Sequence, residues 1–134
     1  MAKRTPSISD AEWQVMEVLW HADAPMTAND VVARLESRTD WNPRTVKTLL
    51  NRLVNKGALA FQADGKRYLY RPKVSRGECV RVQSRSFLSR VFGGATGAAL
   101  LHSVEEHDLS PAEIEQLKRV LARRAAADAK TKEK

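Results

Sequence analysis

The sequence predicts a mainly α fold with one small β-hairpin, divided into a first domain and a C-terminal helical arm. Three observations carry that expectation. Helix-start signals recur at Ser9, Thr27, Asn42, Ser75 and Ser110, and apolar residues fall at helical spacing behind each of them. Between Gly57 and Pro72 the period shortens to that of two strands around an Asp-Gly pair.

Residues 1–7 form a short basic and polar lead-in, read as a flexible N-terminus, with a minor-groove arm as the weaker alternative. Structure begins at Ile8. Ser9 and Glu12 make a capping box, in which each side chain satisfies a free amide of the first turn, and Ile8 and Trp13 sit at the two positions of a hydrophobic staple. The helix runs through Trp13, Val15, Met16, Val18, Leu19 and Trp20, and ends before Asp23-Ala24-Pro25. Its tryptophans read as core residues. Thr27 and Asp30 repeat the box in acidic form, with Met26 and Val31 as the staple. Val31, Val32 and Leu35 then give a short second helix that Ser37–Asp40 breaks.

The third helix is written most clearly. Asn42 can cap it, Pro43 presets φ at the first helical position, and Gly57 can take the left-handed conformation that closes the last turn. Val46, Leu49, Leu50, Leu53 and Val54 form one apolar stripe. Arg44, Thr45, Lys47, Thr48, Asn51 and Asn55 fall on the other side with Arg52 on its flank, and that side carries no carboxylate. A solvated amphipathic helix would share the stripe, so the surrounding chain has to decide its role. Three short helices with tight connections, the third basic and outward-facing, form a helix-turn-helix pattern. Ala58–Gln62 and Arg67–Arg71 are strand candidates joined by Ala63-Asp64-Gly65-Lys66, with Pro72 ending the second. A hairpin directly behind a basic helix, with Lys66 and Arg67 at its tip, has the form of a wing. The fold class is therefore a winged helix-turn-helix domain over 8–73.

A helical arm follows over 74–122. Ser75 and Glu78 form its first box, and Gly93-Gly94 interrupts the helix they begin. Ala98–Val104 makes a short apolar helix, and Ser110, Pro111 and Glu113 open the last one. Residues 123–134 read as a disordered tail. Phe87, Leu88, Val91, Phe92, Leu100, Leu101, Val104, Ile114, Leu117 and Leu121 lie on helical stripes with nothing further in the chain to cover them. They are assigned to dimerisation, because a core that cannot close within one chain is most simply closed by a second copy.

The 134 residues carry a net charge of +7, and the excess is local. Ile8–Asp40 holds seven carboxylates against Arg34 and Arg38. Trp41–Arg76 holds Arg44, Lys47, Arg52, Lys56, Lys66, Arg67, Arg71, Lys73 and Arg76 against Asp64 alone. A local cationic surface of this kind favours a polyanionic partner, and Arg, Lys, Thr and Asn are the donors that suit phosphates and the acceptor-rich major groove. Arg44, Thr45, Lys47 and Thr48 are assigned to base or groove contacts, Arg52, Lys66 and Arg67 to phosphates, and Asn51 to DNA binding beside them.

The lone cysteine, Cys79, excludes a disulfide framework within the chain and any Cys-rich metal site. No glycine-rich phosphate loop follows a strand, no metal-ligand cluster occurs, and no nucleophile has an identifiable base. No catalysis, cofactor or metal is expected. The N-terminus lacks the apolar core of a signal peptide and no stretch is long enough to span a bilayer, so a cytoplasmic location without membrane insertion is expected. A winged-helix protein-interaction module and a small-molecule-responsive repressor stand as alternatives. The first would more often present apolar or aromatic anchors on the third helix, and the second needs a pocket between domain and arm.

The segments I-S-D-A-E-W-Q-V-M-E-V-L-W, W-N-P-R-T-V-K-T-L-L-N-R-L-V-N-K-G-A-L, R-Y-L-Y-R-P, S-R-S-F-L-S-R-V-F-G-G and D-L-S-P-A-E-I-E-Q-L-K resemble the penicillinase-repressor family, of BlaI, MecI and CopY type. The resemblance covers Ile8–Leu121. It implies a dimeric winged-helix transcriptional repressor that binds palindromic operators on double-stranded DNA and is released by a signal. In the β-lactam branch it implies a membrane sensor-protease system and cleavage in the arm, at a bond that falls on His102–Ser103 here, although neither residue matches that branch's Asn-Phe pair. The Cys-x-Cys hooks of the copper branch have no counterpart in the terminal A-K-T-K-E-K.

Overall fold

The computed structural model describes residues 5–132. Three helices, a two-stranded antiparallel hairpin and three further helices follow in order: α1 (Asp10–Trp20), α2 (Ala28–Leu35), α3 (Pro43–Lys56), β1 (Leu59–Asp64), β2 (Arg67–Pro72), α4 (Arg76–Phe92), α5 (Thr96–Glu106) and α6 (Pro111–Lys132). Mainly helical with one hairpin, this is a winged helix-turn-helix carrying a helical arm.

The capping chemistry forms as the sequence dictates. Both hydrogen bonds of the box are made at Ser9/Glu12, Thr27/Asp30 and Ser75/Glu78. At Ser110/Glu113 they measure 3.0 and 3.1 Å. Gly57 closes α3 with φ +84°, which a side-chain-bearing residue rarely adopts. One core unites the first domain: Val15, Met16 and Leu19 of α1, Val31 and Leu35 of α2, and Val46, Leu49, Leu50 and Leu53 of α3 are all buried, with Leu59 and Tyr70 of the hairpin closing its edge.

Two details of the hairpin differ from the sequence reading. Asp64 pairs with Arg67, so the strands reach further and the turn is the two-residue Gly65-Lys66. Gly65 has positive φ and Lys66 does not, the pattern of a II′ turn rather than an Asp-Gly I′ turn. Met26 also joins the sheet by an isolated bridge to Tyr70, with bonds of 3.0 and 2.8 Å that anchor the wing to the segment before α2.

The arm differs at both ends. Val74 and Cys79 pack with the first domain's core, so α4 starts inside that domain and not beyond it. At the far end α6 runs on to Lys132, through residues expected to be a disordered tail. The Arg- and Ala-rich run from Leu121 to Lys132 has high helix propensity and contains no Gly or Pro to stop it. Of the lead-in, Met1–Arg4 lie outside the described residues. The Thr5 hydroxyl lies 3.4 Å from the Glu78 carboxylate, to which it donates, and the Ser7 carbonyl accepts from Lys56 at 3.0 Å. Among the described residues no helix is long and apolar enough to cross a membrane.

Candidate nucleic-acid interface

The burial of one stripe of α3 fixes what its other side presents. Because Val46, Leu49, Leu50 and Leu53 are buried, Arg44, Lys47, Thr48, Asn51 and Arg52 stand exposed, with Thr45 half-buried between the two faces. Asn42 Oδ1 accepts from the Thr45 amide at 2.9 Å and from its hydroxyl at 3.2 Å. The Thr48 hydroxyl donates to the Arg44 carbonyl at 3.0 Å. Both threonine hydroxyl protons are thus used within the helix, leaving oxygen lone pairs and methyl groups outward. Arg44, Lys47, Asn51 and Asn55 keep exposed donors on the face.

The wing completes a concavity of about 550 Å³ between the start of α2, the outward side of α3 and the hairpin. Lys47 and Asn51 enter it from α3, Lys66 and Arg67 from the wing, and Asn29 and Asp30 from α2. Four of the eight residues assigned to DNA are brought together here, while Arg44, Thr45, Thr48 and Arg52 do not line it. Arg67 is held by Asp64, its Nε and Nη2 donating to Asp64 Oδ2 at 3.2 and 3.1 Å. Both partners are exposed, so this bond can exchange for a phosphate at little cost. Asp30 is the one carboxylate among the described residues lining the concavity. The Thr27 amide and hydroxyl bonds hold its carboxyl below the usual range, helped by the nearby charges of Arg67 and Arg34, so it stays ionised as a cap.

Three residues of this surface were not singled out from sequence. Asn29 is exposed in the first turn of α2, where the box signal marked only a helix start. Tyr68 lines the concavity with its ring half-exposed and set edge-on against Phe61 at 4.9 Å, and Phe61 is exposed as well. Strand alternation indicates which side of the hairpin these aromatics share, and it does not say that α3 lies beside that side. Lys56, counted with the local basic excess, faces the opposite way and pairs with Glu12. Among the described residues no group of three His, Cys, Asp or Glu side chains is close enough to hold a metal ion.

An exposed helix without carboxylates, seated on a three-helix core and flanked by a cationic wing, defines a DNA-binding fold of the transcriptional-regulator class. Known proteins agree. The family profile described as Penicillinase repressor matches residues 8–123. The penicillinase repressor of Bacillus licheniformis is 36% identical over 119 residues, covering 89% of this chain and 92% of that protein. The methicillin resistance regulatory protein MecI of Staphylococcus aureus (strain N315) is 34% identical over 121 residues, covering 90% and 98%. A solution structure of the DNA binding domain of the repressor BlaI superimposes with a TM-score of 0.51 at 36% identity, covering 57% of this chain and 93% of that one. The chain belongs to the penicillinase-repressor family. Its family and fold are those of DNA-binding transcriptional repressors, not of enzymes.

Proposed function

We propose that the protein is a sequence-specific repressor that binds palindromic operators as a homodimer and is released by a signal acting on the arm. The observation that carries the reading is the convergence of Lys47, Asn51, Lys66 and Arg67 on one concavity beside the free donors of α3. A helix of this width enters the major groove, where Arg44, Lys47 and Asn51 meet base edges and Thr45 and Thr48 offer lone pairs and methyls. Arg52, Lys66 and Arg67 then serve the flanking phosphates.

The arm supports the second copy. Phe87, Val91, Leu100, Leu101, Val104, Ile114, Leu117 and Leu121 are exposed, and Leu88 and Phe92 are only half-covered. So large a run of apolar side chains in water is the mark of an interface. Release through the family's sensor-protease route would act at His102–Ser103. That bond lies inside α5, where the Ser103 hydroxyl donates to the Ala99 carbonyl at 2.9 Å, so cutting it requires the helix to open first.

Protection of genomic fragments by the purified full-length protein tests the reading. The expected result is a two-fold-symmetric protected site, bound by a species that sediments as a dimer at micromolar concentration, with affinity falling steeply as salt rises. A monomer at that concentration, or a flat salt response, contradicts it.

A further inference from the structure

The first turns of α4 dock on α1, and everything beyond them is carried on that joint. One carboxylate lies at its centre. Glu17 Oε1 accepts from Trp13 Nε1 and from Arg76 Nε, both at 2.9 Å, while Glu17 Oε2 lies 3.5 Å from His21 Nδ1. Trp20, which meets the Trp13 ring edge-on at 5.1 Å, donates from Nε1 to the Val74 carbonyl at 2.9 Å. Beneath them Cys79 is fully buried, and Gln83 donates to the Ile8 carbonyl.

The side chains of Glu17 and Arg76 are 20% and 54% exposed, so their pairing contributes little to stability. What a charge-assisted bond from a planar guanidinium does supply is direction. We propose that the Glu17–Arg76 pair, with the Trp20–Val74 bond, fixes the angle at which α4 leaves the reading head. It thereby sets the centre-to-centre separation of the two half-sites that a dimer accepts, an inference that rests on the homodimer reading above. Arm length makes the joint sensitive. The 17 residues of α4 extend about 25 Å, so a swing of about 10° at the root moves the far end about 4 Å, more than the rise of about 3.4 Å per base pair. Glu17 and Arg76 are positioning residues and lie off the outward face of α3.

The test uses full-length protein and duplexes carrying two copies of the selected half-site, their separation varied in single-base-pair steps, beside a duplex with one half-site. Wild-type protein is expected to favour one separation by about tenfold or more. Glu17→Gln keeps an acceptor for Trp13 and loses the charge that holds Arg76. It is expected to bind the single half-site within about twofold of wild type, while its preference among separations shrinks to about threefold or less. Arg76→Gln behaves the same way, and Arg76→Lys, which keeps the charge without the planar donor, falls between wild type and Arg76→Gln. A Glu17→Gln protein as strict as wild type overturns the assignment, as does a parallel loss of single-site and two-site binding. Wild-type protein that binds as a dimer but takes all separations equally overturns it too, whereas wild-type protein that binds as a monomer overturns the dimer reading instead.

Discussion

Lys56 Nζ lies 2.5 Å from Glu12 Oε1, closing the last turn of α3 onto the first turn of α1. The carboxylate is 2% exposed and also accepts from the Ser9 amide at 2.8 Å, so one side chain completes the capping box and neutralises a helix-end cation. Burial pushes this carboxyl up, but the bonds from Lys56 and Ser9 outweigh it and hold the group below its usual value of 4.5. Glu12→Gln keeps the box, since glutamine serves at that position as well as glutamate, and removes only the charge. The expected loss is about 1–3 kcal/mol, toward the lower end because the Lys56 side chain remains 37% exposed to water. Urea unfolding checks it, and an unchanged midpoint would show the ion pair to be idle.

Acid stability follows from the same groups. Glu17 is also held low: burial raises it, and bonds from Arg76 and Trp13 with the charges of Arg76 and His21 more than offset that. Both carboxyls therefore take up protons more readily in the unfolded chain. Their stabilisation, small for the more exposed Glu17 pair and larger for buried Glu12, is present in full above the ordinary value near 4.5 and is lost as pH falls through the lower folded values. Unfolding free energies measured from pH 7 to pH 3 are expected to decline below that point, less steeply in Glu12→Gln than in wild type. Parallel curves would remove Glu12 from the explanation.

Cys79 is fully buried and belongs to the core that α4 shares with the first domain. Burial pushes its thiol up, and the neighbouring Glu78 charge adds to the rise. The native thiol is thus expected to resist a disulfide reagent at pH 8 and to react at once in denaturant. Cys79→Ser, which buries a hydroxyl in its place, is expected to cost about 1–3 kcal/mol. A fragment ending at Val74 removes this side chain from the core altogether. Rapid labelling of the folded protein would contradict this packing.

Leu101 is 66% exposed in the middle of the arm's apolar surface. Leu101→Asp places a charge where a second copy is expected to close, and leaves the winged helix untouched. Sedimentation is expected to show a folded monomer whose single-half-site binding persists while operator binding falls sharply. A variant that remains dimeric would move the interface elsewhere.

What the sequence made legible was local. Ser9, Thr27, Asn42, Ser75 and Ser110 each announce a helix within four residues, and α3's stripe told which side of it faces outward. Contacts between residues far apart carry no such signal. Met26 pairs with Tyr70, and Glu12 with Lys56 at a separation of 44 residues, and nothing at either position marks its partner. The basic excess of Trp41–Arg76 does not all face the concavity: Lys56 turns to Glu12 of α1 and Arg67 is already engaged by Asp64. Tyr68 and Asn29 join the candidate interface only because folding brings the wing and α2 beside α3.

Base reading is proposed for the outward face of α3. Lys47 tests it best, because it is exposed on that face and lines the concavity shared with the wing. Binding of Lys47→Ala to the selected operator, to single-base variants of it and to random duplex should be measured at one salt concentration. The expected result is a loss of about 1–3 kcal/mol on the operator, with discrimination relaxed at one base position and little change on random DNA. An equal loss on operator and random DNA would make Lys47 a phosphate contact and contradict base reading by this face.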